Sequence, residues 1–177
     1  MSATKKIWTI GHSTRTIEEF IAMLKSFSIK TLVDVRSLPG SNKFPQFNQE
    51  ELKKSLEKEK IKYKYMKSLG GRRKTSPESN NTIWKNKSFR GYADYMETAE
   101  FKKALQELKT IALKVNTAMM CAEAVWWRCH RSMIADALKA ENWEVFHIMD
   151  VEKSTEHPYT QPAKIKGGHL FYGKAEE

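Results

Sequence analysis

The sequence is poor in cysteine, with only Cys121 and Cys129 among its 177 residues and no Cys-x-x-Cys pair. Thioredoxin-like dithiol chemistry is therefore excluded, and a separation of eight positions does not suit the closely paired ligands of structural zinc. A G-x-x-x-x-G-K-[S/T] loop and a G-x-G-x-x-G fingerprint are also missing, so nothing supports use of ATP or a dinucleotide, and neither a metal nor a cofactor is expected. Long apolar runs are absent too, and the start from Met1 to Lys6 lacks the apolar core of a signal peptide. The expectation is a cytoplasmic chain with no membrane partner. In a reducing compartment its thiols are site groups or buried apolar filler sooner than a structural disulfide.

Acidic residues are outnumbered, 21 against 31 Lys and Arg, for a formal charge of +10. Such an excess draws polyanions and favours nucleic acid or a phosphorylated small molecule as partner. Lysines scattered over helices, such as Lys53, Lys54, Lys102 and Lys103, equally fit a solvated face. Oligomeric state is left open.

What the chain does have is globular composition, 40% hydrophobic and 11% aromatic, at a length that suits a single domain over residues 1–177. Ile7 to Ile10 reads as a strand stopped by Gly11. Thr16 and Glu19 then form a capping box for a helix with Ile17, Phe20, Ile21, Leu24 and Phe27 at helical spacing. Thr31 to Val35 is a second, almost wholly apolar strand, and strand, helix, strand in this order predicts a βαβ unit with parallel strands. A helix capped by Asn48 runs through Glu59, and Ile61 to Met66 alternates Lys and Tyr as an edge strand would. Residues 67 to 88 form a long loop that either binds something or is disordered. Helices over Phe89 to Glu97 and Glu100 to Leu113, a buried strand at Thr117 to Cys121, a helix from Cys129 to Ala140 and a strand at Val145 to Met149 follow. Gly167-Gly168 suits a tight turn in a C-terminal β-hairpin. The fold class is α/β, with a mostly parallel central sheet flanked by helices.

Ligands of open parallel sheets bind beyond the carboxyl ends of the strands. That end gathers Gly11, His12 and Ser13, then Asp34 and Arg36, then Cys121 and Glu123. A carboxylate in an apolar strand needs a partner, and Arg36 or His12 would serve Asp34, unless Asp34 only pins a backbone amide. Cys129-His130-Arg131-Ser132 opens a helix, where free N–H groups and the dipole suit an anion and lower the pKa of a thiol at Cys129. The bland alternative makes His130 a core histidine and Arg131 a partner of Asp136 or Glu123. Phe44, Phe47, Trp84, Phe89, Tyr92, Tyr95, Trp126 and Trp127 interleave with Lys43, Arg72, Arg73, Lys74, Lys85, Lys87 and Arg90, a pattern that suits bases on rings and phosphates on cations unless the rings are core. Gly70 and Gly71 read as a source of flexibility in that basic loop.

Thr9-Ile10-Gly11-His12-Ser13, Val33-Asp34-Val35-Arg36 with Pro39, Ser41 and Phe44, Leu69-Gly70-Gly71, Cys121-Ala122-Glu123, Cys129-His130-Arg131-Ser132 and His157-Pro158-Tyr159-Thr160 run in the same order as in one family. The chain resembles the uncharacterised bacterial and archaeal proteins grouped as domain of unknown function 488. The resemblance implies a compact α/β domain with one shared site and carries little about activity. Asp34-Val35-Arg36 is also similar to a strand end of rhodaneses, but their Cys-led active-site loop is missing, which leaves sulfur transfer a remote analogy.

The leading expectation is an enzyme acting on nucleic acid or a nucleotide, such as a damaged or modified base. Glu123 or Asp34 would serve as acid or base with His12 and His130 assisting. Ser13, Arg36, Ser41, Phe44, Cys129 and Arg131 would line the substrate, and Lys43, Arg72, Arg73, Lys74 and Arg90 would contact nucleic acid. The alternatives are a non-catalytic nucleic-acid-binding module and a thiol enzyme acting on a small anionic molecule.

Overall fold

The computed structural model describes residues 5–40 and 43–173. β1 (Lys6–Gly11) leads through α1 (Ile17–Ser26) to β2 (Thr31–Asp34), and α2 (Gln49–Lys58) leads to β3 (Lys62–Tyr65). α3 (Lys87–Tyr95) and α4 (Ala99–Lys114) precede β4 (Thr117–Cys121), and α5 (Arg131–Ala140) precedes β5 (Glu144–Asp150). β6 (Lys153–Glu156) and the hairpin β7 (Lys164–Lys166) and β8 (His169–Phe171) complete the described elements. The fold is α/β: five parallel strands and the antiparallel β6 lie in the order β3-β2-β4-β1-β5-β6, and β7-β8 is separate.

Alternation along the strands divides the core in two. Ile7, Val33, Met119 and Cys121 face the side covered by α3, α4 and α5, while Trp8, Ile10, Leu32, Ala118 and Met120 face α1 and α2. The α1 capping box forms as the sequence predicts, with Thr16 Oγ1 accepting from Glu19 N (3.1 Å) and Glu19 Oε1 from Thr16 N (3.2 Å). β3 lies at an edge, in keeping with its polar alternation.

β1 and β2 run parallel as the βαβ pattern predicts, and the structure adds two features to that pattern. β1 and β2 are not neighbours, because β4 enters between them, pairing Gly11 with Cys121 on one side and Asp34 with Met120 on the other. β4 is buried along its whole length and β1 in all but its terminal lysine, which suits the two central positions of the sheet. β6 has four exposed residues and no apolar face, so its sequence carries no strand signal and the backbone ladder to β5 makes it one.

The long loop is docked. Asp94 on α3 accepts from Ser76 N (2.8 Å), Ser79 Oγ (2.5 Å) and Asn81 Nδ2 (2.8 Å), and Trp84 is buried. Gly70 and Gly71 serve close approach rather than flexibility: a Cβ on Gly70 would come within 3.2 Å of Ser37 Cα, and one on Gly71 within 3.1 Å of His130 Nδ1. At Gly91 a Cβ would stand 2.0 Å from the Arg73 carbonyl oxygen. Gly91→Ala separates docking from looseness by sign. In a free helix it stabilises by about 1 kcal/mol. With the loop docked it destabilises by roughly 1–3 kcal/mol through overpacking, and the loop becomes sensitive to protease. Urea melts and limited proteolysis read both.

Candidate functional site

The connections from β1 and β4 leave toward opposite faces, α1 on one and α5 on the other, so a crevice opens where these adjacent strands end. The crevice is laced by backbone bonds from His12 N to Cys121 O and from Ser13 N to Ala122 O, both 3.0 Å. Gly11 is required here, since a Cβ would lie 1.8 Å from the Glu123 carbonyl oxygen.

That carbonyl accepts from Arg131 Nη1 at 2.6 Å. Arg131 is wholly buried, and its other donors reach Cys121 Sγ (2.6 Å), Thr9 Oγ1 (3.2 Å) and Ala124 O (3.4 Å). No carboxylate pairs with it among the described residues. An arginine does not give up its proton, and a buried charge without a counter-charge costs several kcal/mol, roughly. Cys121 is the group able to supply one. Burial alone would raise its pKa, but a hydrogen bond from the Cys129 thiol and the Arg131 charge bring it down to about 7. Cys129 moves the other way, pushed well above the ordinary thiol value by burial and by the neighbouring Cys121. Of the two sulfurs, Cys121 is thus the one that gives up its proton more readily.

The β2 end is also fully paired. Asp34 accepts from Arg36 Nε (2.9 Å), Arg36 Nη2 (2.8 Å), Arg36 N (3.0 Å) and the Tyr63 hydroxyl (2.5 Å). Burial and the adjacent carboxylate raise the Tyr63 pKa, keeping that hydroxyl a donor. His12 Nδ1 donates to Ser13 O (2.9 Å), which leaves Nε2 to accept from Arg36 Nη1 (3.4 Å), and burial lowers the His12 pKa so that the ring stays neutral. His130 Nε2 donates to Val35 O (2.9 Å), its Nδ1 faces Cys129 Sγ (3.6 Å), and burial lowers its pKa to about 4.

Between these ends and α3 lies a cleft of about 320 Å³, lined by Arg36, Ser37, Leu38, Gly71, Arg72, Ser88, Phe89, Tyr92, Cys121, Ala122, Glu123, Arg128, Cys129 and His130. Arg72 and Arg128 are exposed on its rim, and neither guanidinium has a partner among the described residues.

Residues 16–138 match the family model described as Domain of unknown function DUF488, which takes in more than half of the chain. The chain belongs to the DUF488 family. Comparison with curated proteins and with solved structures finds no match. Thr9 to Ser13 and His157 to Thr160 fall outside the part of the chain that matches the DUF488 model, although both segments contribute to the network around Arg131.

Of the residues singled out by sequence in this DUF488 chain, Arg36, Arg72, Glu123, Cys129 and His130 come together at the cleft. Arg131 lies beneath it and has no surface with which to hold phosphate. Its partners are also neither Asp136 nor the Glu123 carboxylate, and Glu123 is exposed at the rim. The lowered thiol pKa belongs to Cys121 rather than Cys129, because the guanidinium side chain turns to Cys121 while Cys129 receives only the Arg131 backbone N–H (3.4 Å). His12, Ser13 and Asp34 stand behind the cleft as supports for Arg36 and the crevice. Phe44 packs edge-on to His12 in the α1 and α2 layer, and Lys43 lies over it at 5.5 Å. Ser41 is outside the described residues.

The nucleic-acid set divides as well. Lys74 is exposed, but Arg73 stacks on Tyr95 at 3.7 Å and donates to Gly70 O, and Arg90 donates to Trp84 O. Trp84, Tyr92 and Tyr95 are core, and Trp126 stacks on His147 at 4.6 Å. Arg128 and Ser88 had no distinguishing motif. Thr9 and His147 did carry a signal, each a polar residue inside an otherwise apolar strand.

A neutral buried histidine ties stability to pH. With the folded His130 pKa near 4 and the unfolded value near 6.5, the unfolded state binds more protons below pH 6.5. Its contribution is therefore complete above 6.5 and is lost as pH falls toward 4, by about 3 kcal/mol between pH 7.5 and 4. Urea melts over that range should show the loss, and His130→Gln should flatten it by that amount.

Proposed function

We propose that this cleft is the active site of an enzyme that takes a small anionic substrate between Arg72 and Arg128 and attacks it with the Cys121 thiolate, the new bond to sulfur replacing the bond to a leaving group that departs with its electron pair. One observation carries the reading: the buried Arg131 guanidinium has no carboxylate partner among the described residues and contacts Cys121 Sγ. A thiolate held by a guanidinium at the end of a central strand is a preformed nucleophile. Glu123 is the one carboxylate in the described lining and the candidate for proton transfer. The cleft volume lies at the small-molecule end of ligand sites. Neutral His130, its ring turned to Val35 O and Cys129, supports the wall and gives no charge to the anion.

A second reading keeps the anion and enlarges its carrier to nucleic acid. It is favoured by exposed Arg72 and Lys74, by Trp127, which is 53% exposed, and by the charge of +10.

Calorimetry with inorganic phosphate, a nucleoside monophosphate and a single-stranded oligonucleotide separates the two. A small-molecule site binds the first two, and Arg72→Ala or Arg128→Ala each weakens binding by roughly 10–100-fold, the range of a charge-assisted hydrogen bond. A nucleic-acid site shows the oligonucleotide tightest, with affinity that falls steeply with salt. Anion binding indifferent to both arginines defeats the first reading. For the nucleophile, the ultraviolet absorbance of the thiolate should titrate with a midpoint near 7 and vanish in Cys121→Ser. A midpoint at the ordinary thiol value removes its basis.

A further inference from the structure

On the side away from the cleft, Arg131 begins a continuous chain of buried hydrogen bonds. Arg131 Nε donates to Thr9 Oγ1 (3.2 Å), Thr9 Oγ1 meets His147 Nδ1 (2.5 Å), His147 Nε2 meets His157 Nδ1 (2.8 Å), and His157 Nε2 meets Asp136 Oδ1 (2.8 Å). None of these five residues is more than 1% exposed. Asp136 is held in turn by Thr160 N (2.9 Å), Thr160 Oγ1 (2.5 Å) and the Tyr172 hydroxyl (2.7 Å), and the indole of Trp126 covers His147 in a parallel stack.

The ends of the chain determine its direction. A guanidinium can only donate and a carboxylate only accept, so with both imidazoles neutral one proton order satisfies every link. Thr9 O–H donates to His147 Nδ1, His147 Nε2–H to His157 Nδ1, and His157 Nε2–H to Asp136. Burial and the neighbouring His157 and Arg131 hold the His147 pKa far below its ordinary value, in keeping with a neutral ring that passes one hydrogen bond on. The members come from β1, β5, the segment after β6 and α5. Asp136 and Arg131 sit on the same helix without touching, and the chain outside the helix joins them.

We propose that Thr9, His147, His157 and Asp136 form a positioning relay that holds the Arg131 guanidinium against Cys121 Sγ as its counter-ion. The inference rests on the reading of Cys121 as the nucleophile. It gives the His157-Pro158-Tyr159-Thr160 segment a role at a site it does not reach: the segment anchors the carboxylate end through His157 and Thr160. Thr9 is the link on which the relay turns, because its hydroxyl accepts the hydrogen bond of Arg131 Nε–H and donates one of its own to His147 Nδ1. Polarisation along such a chain strengthens its members together.

The test is the titration of Cys121 in the full chain carrying Cys129→Ser, which keeps an O–H donor beside the thiol. Thiolate absorbance against pH is measured in that background, then with Thr9→Val and with Thr9→Ser. The relay predicts a midpoint near 7 in the background and with Thr9→Ser. With Thr9→Val it predicts a midpoint near 8.5, so that the thiolate fraction at pH 7 falls roughly 15-fold. An unshifted midpoint in folded Thr9→Val overturns the relay and leaves the nucleophile standing. A midpoint already at 8.5 both in this background and in the unsubstituted protein overturns both readings. Should Thr9→Val not fold, the imidazole nitrogen resonances of the unsubstituted protein decide: the relay requires the Nε2–H tautomer on both His147 and His157, and Nδ1–H on either overturns it.

Discussion

The buried guanidinium of Arg131 is the constraint around which the rest of the site is arranged. A permanent charge with no exposed surface must find five donors' worth of acceptors and a counter-charge inside the protein. Four acceptors come from three segments: Thr9 on β1, Cys121 on β4, and the Glu123 and Ala124 carbonyls in the following turn. Each fixes something else. Gly11 must lack a side chain so that the Glu123 carbonyl can reach inward, and Thr9 must be polar within an apolar strand. A cation at this position converts packing requirements into chemical ones, which is why residues that touch no ligand are as constrained as those lining the cleft.

Topology makes that convergence possible. The insertion of β4 between β1 and β2 brings Cys121 beside Gly11 and leaves Asp34 one strand further along. The helix that follows β4 then starts beneath the same strand ends, so Arg131 lies under the sulfur that ends β4, ten residues earlier. The antiparallel addition of β6 to β5 carries the chain back to α5, where His157 and Thr160 meet Asp136. Fold and site are two consequences of one strand order.

Much of this was legible in the residues, and the illegible part has a physical cause. The capping box at Thr16, the apolar strands, the edge character of β3 and the glycine hairpin all rest on local patterns that tertiary contacts did not override. The polar residues at strand ends identified the region of the site, since a parallel sheet leaves its carboxyl ends for such groups. Burial was the missing variable. Arg131 and Arg73 look like phosphate ligands until one is seen enclosed and the other stacked on Tyr95. Trp84, Tyr92 and Tyr95 look like base platforms until they are seen as core. Sequence spacing also did not separate the two cysteines by role, because the difference depends on which sulfur the guanidinium side chain faces.

Once burial is known, the charges of the cleft separate into two tiers. On the floor, Arg131 is balanced by the Cys121 thiolate and Arg36 by Asp34, while His12 and His130 are neutral. The floor is therefore internally compensated and exerts little net pull on an incoming ion. On the rim, Arg72 and Arg128 face the single carboxylate of Glu123, leaving formal positive charge where solvent can be displaced cheaply. In the proposed enzyme, anion capture and anion chemistry would fall to different groups: the rim arginines would draw and orient a ligand, and the compensated floor would keep the Arg131 counter-ion pairing of Cys121 independent of the ligand. A site built on Arg131 as a phosphate ligand would have lost its thiolate's counter-ion each time it bound.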